Sequence, residues 1–515
     1  MSKKIVLDGK SLKIEDIVAI VRDTSVSVEV SESAFLLCKK TEDYLHSSLN
    51  GKIIYGINTG FGPMATHVIN GGQLEQLQEN LIRSHAVGMG EAISNDYVLA
   101  AMVVRLNTLA RGYSGVSREL LERLQFFINN RILPIVPEHG AVGTSGDLVQ
   151  LAHIALALLG KGDVVYKNVR QPVSKVLATL SQPTTYKLKI KEGLALINGT
   201  SMMSGIAALE VTRAENLLQI SVQNGAMAME MVHAFADGVA VELHNLRAHR
   251  GQGIIASRLR EIFASSKLLR SRKVLQGGDA FDEEVHKLPE SVQEIYSLRC
   301  IPQILGPVHD AIETAENIIG VEINSVTDNP IIDVESDYIY HGGNFHGDYI
   351  AYAIDQLKMT IVKLTILSER RINFFLNENI NKHFPPFMNL VQPGLTLGLQ
   401  ALQFVATSTT ADNQTLAYPH YAHSIPTNGD NQDVVSMGTD AVLFAAKVIQ
   451  NAYIVLAIEL ITLGQAVDFC DERDQLSKQS LALYNTLREV LPAIKEDRVL
   501  VYELPKVVEI LQKVM

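Results

Sequence analysis

Cysteine is scarce in this chain: Cys38, Cys300 and Cys470 are the only three among 515 residues. They lie far apart, with no Cys-x-x-Cys pair or matching His spacing, so neither a disulfide framework nor a zinc site is expected, and a reducing, cytoplasmic setting fits. Positive charge is also in short supply. The 45 Lys and Arg residues are outnumbered by 56 Asp and Glu, for a formal charge of −11, and they form no cluster, which argues against nucleic acid as a partner. Long uncharged hydrophobic runs are missing as well. The most apolar stretch, 441–463, is interrupted by Lys447 and Glu459, which leaves less than the roughly 20 residues a membrane span requires. The opening MSKKIVLDGKSLKIEDI lacks the apolar core and cleavage site of a secretory signal. No Gly-x-Gly-x-x-Gly follows a strand pattern, and neither Gly-x-x-x-x-Gly-Lys-Ser/Thr nor His-Glu-x-x-His occurs. The usual grounds for a nucleotide, a dinucleotide or a metal ion are therefore absent.

What the chain does have is a hydrophobic share of 47% against 20% charged residues, enough to bury a large core. Segments 203–235, 348–378 and 437–468 carry apolar residues at three- and four-residue spacing with almost no internal Gly or Pro, the pattern of long helices in a bundle. Strand signals are few. KIVLDGKSLKI with its Asp8-Gly9 turn, DVVYKNVRQPV and IIDVESDYIYHGG read as small ribbons. A mainly α-helical fold is expected, with an N-terminal region over 1–200 and a long-helix domain over 201–515.

One stretch asks for more than folding. In GAVGTSGDLVQLAHIALALLGKG, residues 140–162, Gly143, Thr144, Ser145 and Gly146 stand directly ahead of an apolar helix. The plainer reading makes Ser145 or Asp147 the helix cap and Gly160 its terminator. The chemical reading uses the glycines, which permit the strained dihedrals needed for the Gly146 nitrogen to attack the Thr144 carbonyl. Loss of water from the ring and from the Ser145 side chain would then leave a methylidene on an imidazolone, an electrophile none of the twenty side chains provides.

Here the chain resembles the aromatic amino acid ammonia-lyases, the histidine, phenylalanine and tyrosine lyases and their related aminomutases. IIYGINTGFGPMA, NLIRSHAVGMGE, EGLALINGTSMM, YSLRCIPQILGP, SVTDNPIID, HGGNFHGDYIA and NQDVVSMGTDA are similar to family blocks and occur in family order. The resemblance implies a methylidene-imidazolone made from Thr144, Ser145 and Gly146 with no external cofactor, although the family usually has Ala where this chain has Thr144. It implies Tyr55 as the base that removes a β-hydrogen, in a loop that includes Gly62. Arg299 would grip the substrate carboxylate through its planar fork, with Asn198 beside the prosthetic group. Tyr296 and Gln293 would orient substrate, and Phe345 would wall the site. It also implies a homotetramer whose sites combine residues from three chains.

Two positions bear on the substrate. A His at the place of His85 can receive a polar ring substituent, which favours tyrosine or histidine over phenylalanine. Histidine lyases carry Glu where this chain has Gln432, and a neutral amide pairs less well with an imidazole that can become cationic. The sequence therefore favours tyrosine, giving 4-hydroxycinnamate and ammonia. Histidine and phenylalanine lyases, an aminomutase, and a helical scaffold with an uncyclised loop are the alternatives.

Overall fold

The structure, a computed structural model, describes residues 3–513 apart from 50, 276–284, 286, 289 and 290. The chain divides into two compact units, one built from 1–212, 314–355 and 419–445, the other from 213–313, 356–418 and 446–515. Each is discontinuous in sequence. The helix Ser201–Met231 begins in the first unit and ends in the second, so no loop marks the division.

The first unit is mainly helical, with short strands at its edges. Helix Asn95–Ala110 is buried at every position from Val98 to Ala110, and its nearly continuous apolar run is the composition of a helix enclosed on all sides. Three further helices, Leu74–His85, Leu148–Leu158 and Glu192–Ile197, pack against one another. Their ends carry His85, the Thr-Ser-Gly turn and Asn198, so this packing brings together three segments well separated in the chain.

The expected ribbons are partly realised. Asp163–Tyr166 pairs with Val169–Pro172 around Lys167 and Asn168, which have φ of 51° and 61°, the positive pair a tight hairpin requires. Ile331–Asp333 pairs with Tyr338–Tyr340. Lys4–Leu7 differs from expectation. It pairs in parallel with Ser27–Val30 across the helix Ile14–Arg22, because the Asp8 carboxylate accepts the Lys10 and Ser11 N–H groups and turns the chain away from a hairpin.

The second unit is built from long helical segments, cross-linked by polar side chains. Asn216 donates to the Tyr453 hydroxyl at 3.0 Å and to the Leu511 carbonyl at 2.8 Å. Arg371 is fully buried and donates to Glu459, whose carboxylate also accepts from Ser368 at 2.7 Å and Asn224 at 3.1 Å. Helix Gly438–Cys470 contains the most apolar stretch of the chain. By length and composition it is apolar enough to cross a membrane, against the expectation drawn from Lys447 and Glu459, and 67% of its most apolar window is buried in the protein.

Candidate active site

The Thr-Ser-Gly segment forms a tight turn in which Gly143 and Gly146 bridge each other. Gly143, Ser145 and Gly146 have φ of 75°, 58° and 77°. A Cβ on Gly146 would stand 2.0 Å from the Gly199 carbonyl oxygen, and one on Gly143 would stand 2.1 Å from the Ser436 hydroxyl. Both positions therefore need glycine on conformational and on spatial grounds.

The turn is held from behind. The Ser145 carbonyl accepts two hydrogen bonds, from the Asn198 amide at 3.2 Å and from the Gly199 N–H at 3.1 Å. The Asn198 Oδ1 is buried and unpartnered among the described residues. Arg105, fully buried, donates to the Asn198 carbonyl at 2.7 Å. Burial pulls its guanidinium down to about 10, opposed by the nearby Asp328 and Asp147 carboxylates, so it remains charged at neutral pH. Asp328 in turn receives the buried Lys191 ammonium.

Asp147 occupies the position ahead of helix Leu148–Leu158, yet its side chain does not cap that helix. Its carboxylate accepts the Met202 and Met203 N–H groups at 2.8 and 3.1 Å and the Thr439 hydroxyl. It thus closes the first turn of the helix that begins at Ser201, and burial pushes its carboxyl up to about 6. Gly160, with φ of 87°, ends the helix Leu148–Leu158 as expected.

In front of the turn lies a cavity of about 1060 Å³. Of the residues singled out in the sequence, Tyr55, Gly62, His85, Thr144, Ser145, Gly146, Asn198, Phe345 and Gln432 line it together. The Tyr55 hydroxyl oxygen accepts the Gly62 N–H at 3.0 Å, a bond that strengthens when the phenol ionises. Nδ1 of His85 lies 2.9 Å from the Leu81 carbonyl one helical turn back. The Ser84 hydroxyl lies 3.0 Å from the same nitrogen; a proton on Nδ1, which the accepting Leu81 carbonyl favours, leaves Nε2 as an acceptor in the neutral ring.

Gln293, Tyr296 and Arg299 are not among the residues of that cavity. They line another, of about 580 Å³, within the second unit. There the Arg299 guanidinium stacks 4.7 Å from the centre of the Tyr296 ring, and its Nε is buried without a partner among the described residues. The sequence-based reading also passed over Arg105, although an arginine inside the apolar run VLAAMVVRLNTLA is itself a signal of a buried polar role.

The residues fit a methylidene-imidazolone: a compressed tripeptide that follows one obligate glycine and ends in another, its Ser145 carbonyl held by two donors, and an orphaned amide oxygen beside it. Thr144, Ser145 and Gly146 would form it. Once formed, it supplies an electrophile for the substrate amine. The two donors on the Ser145 oxygen are placed to stabilise negative charge accumulating there.

Comparisons with known proteins identify the family. The model of the aromatic amino acid lyase family matches residues 12–489. The chain is 39% identical to a histidine ammonia-lyase of Geobacillus thermodenitrificans over 96% of this chain and 94% of that one. It is 38% identical to the histidine ammonia-lyase of Macrococcus caseolyticus, with 96% of each covered. Among solved structures, the tyrosine aminomutase of Streptomyces globisporus superposes with a TM-score of 0.95 at 34% identity, over 99% of this chain and 97% of that one. A match across almost the whole length, joined to the glycine-framed turn and the cavity before it, shows that this chain belongs to the aromatic amino acid lyase family.

Proposed function

We propose that the protein eliminates ammonia from an aromatic L-amino acid whose ring presents a polar hydrogen, with His85 as the receptor for that group. The observation that carries the reading is His85, whose Nδ1 faces the Leu81 carbonyl so that Nε2 is left to accept, in the lining of a cavity that also holds Tyr55 and the Thr-Ser-Gly turn. An imidazole N–H or a phenol O–H satisfies that acceptor, whereas a phenyl ring leaves it unpaired, at a cost of about 1–3 kcal/mol. Relatives at 39% and 38% identity act, by their names, on histidine, so L-histidine, giving urocanate, is the leading substrate. The tyrosine preference drawn from the sequence has less support from the relatives. Gln432 in the cavity wall keeps L-tyrosine as the second reading, because it offers a neutral amide.

In this reading Tyr55 takes the β-hydrogen, its hydroxyl oxygen held in place by the Gly62 N–H. Asn198 and Arg299 fix the carboxylate, Gln293 and Tyr296 orient the substrate, and Phe345 bounds its ring. Arg299, Tyr296 and Gln293 belong to a separate cavity, so we assign them to the site of another copy in a homotetramer. Complementation tests this: mixed oligomers of Ser145→Ala and Arg299→Ala subunits should regain activity that neither variant shows alone. Failure of every mixture would refute the sharing.

Near-ultraviolet absorbance of the purified protein with histidine, tyrosine or phenylalanine decides the substrate. A urocanate band supports the first reading, and a 4-hydroxycinnamate band the second. Product analysis for β-amino acids should accompany it, since a structural neighbour is an aminomutase. A β-amino acid as main product would replace the lyase assignment. If phenylalanine alone is turned over, the role given to His85 is wrong.

A further inference from the structure

We propose that His341 is a positioning residue for Tyr55, holding the Tyr55 main chain through a hydrogen bond to its Nε2; this rests on the reading of Tyr55 as the base. The segment around Tyr55 has little regular structure of its own. Most of its hydrogen bonds are internal: Asn58 ties to Ile54 and Lys52, Thr59 to Gly56, and Gly60 to His67. Among the described residues, only two hydrogen bonds fasten residues 53–61 to segments beyond residue 70. The Gln78 amide donates to the Gly56 carbonyl at 3.2 Å, and the Tyr55 N–H donates to His341 Nε2 at 3.3 Å. They fall on adjacent residues, one on Tyr55 itself.

The hairpin that carries His341 grips the same segment by a second means. Ile332 and Ile339, on its two paired strands, are buried in one cluster with Ile54 and Ile57, which flank Tyr55. His341 follows the second strand directly. The apolar contacts set the distance of the segment from the hairpin, and the imidazole sets the orientation of the peptide from which the Tyr55 side chain departs. His341 also lines the cavity. Because Nε2 accepts, the neutral ring holds its proton on Nδ1. The hydroxyl end of Tyr55 meets the Gly62 N–H, so the base is fixed at its root by His341 and at its tip by Gly62. A general base gains its effect only at hydrogen-bond distance from the proton it removes, and displacement by about 1 Å can cost roughly a hundredfold.

The test compares His341→Leu, which removes the acceptor, with His341→Gln, which offers an oxygen at similar reach, in the full-length oligomer with whichever of L-histidine and L-tyrosine is turned over. We expect His341→Leu to lower kcat by roughly 10- to 100-fold with KM changed by less than about threefold, and to enlarge the isotope effect of β-deuterated substrate. His341→Gln should recover most of that loss. Thermal unfolding of both variants separates misplacement from misfolding. Unchanged kcat and isotope effect in His341→Leu, or a His341→Gln variant as slow as His341→Leu, would overturn the proposal. Tyr55→Phe isolates the underlying reading: if it stays active, the base assignment fails and the positioning role with it. If it is inactive while His341→Leu is fully active, only the positioning role fails.

Discussion

Arg105 and Arg371 are both fully buried guanidinium groups, one in each unit, and their partners differ in kind. Arg371 meets a carboxylate. Glu459 receives it together with Ser368 and Asn224, so the group links three helical segments of the second unit. Arg105 meets main chain: it holds the Asn198 carbonyl, which belongs to the same peptide group as the Gly199 N–H that binds Ser145, while Asp147 and Asp328 stand near enough to favour its charge. Burying charge is expensive in either place. In the second unit the return is the register of helices, and in the first it is the shape of the Thr-Ser-Gly turn.

The largest effect should come from the turn itself. Ser145→Ala should abolish turnover and leave the intact protein without the mass loss of two waters. A variant that still turns over substrate would remove the self-made electrophile from the account. Next, Arg371→Met should destabilise by about 3–5 kcal/mol, because it strands the buried Glu459 carboxylate, and Arg105→Met by about 1–3 kcal/mol, because it leaves the buried Asn198 carbonyl without its donor. The comparison sharpens when activity is measured per folded molecule at low temperature. Arg105→Met should then be slow and Arg371→Met near normal, and equal rates would show that the two arginines do the same work.

Asn198→Ala removes one of the two donors on the Ser145 oxygen and should lower kcat by about 10²–10³, the usual loss for one such donor. A loss confined to KM would point instead to carboxylate binding. The smallest effect concerns pH. The Asp147 carboxyl is raised from 3.8 to about 6 in the fold, so between those values the folded protein holds a proton that the unfolded chain releases. Its contribution is therefore present below about pH 4 and is lost as pH rises to about 6, by up to about 3 kcal/mol. The unfolding free energy of the wild type relative to Asp147→Asn should fall across that window. A constant difference would mean that the buried carboxyl titrates normally.

Much of this was legible from residue order. The periodic segments 203–235, 348–378 and 437–468 match helices Ser201–Met231, Asp348–Leu376 and Gly438–Cys470 to within a few residues, because helix periodicity is a local property. The demand for glycine at 143 and 146 was legible too. The task of Asp147 was not. Its position promised a cap for the next helix, and it caps instead the one that starts more than fifty residues later.

The sequence alone therefore determined the long helices, the family and the glycine-framed Thr-Ser-Gly turn, since each is encoded in neighbouring residues or in ordered blocks. Tertiary structure decided which donors reach the Ser145 carbonyl, that Arg105 stands behind Asn198, that His341 meets a peptide 286 positions away, and that Arg299 lines a cavity other than that of Ser145. Hydrogen bonds of that span depend on how helices and hairpins pack, and no local pattern records the packing.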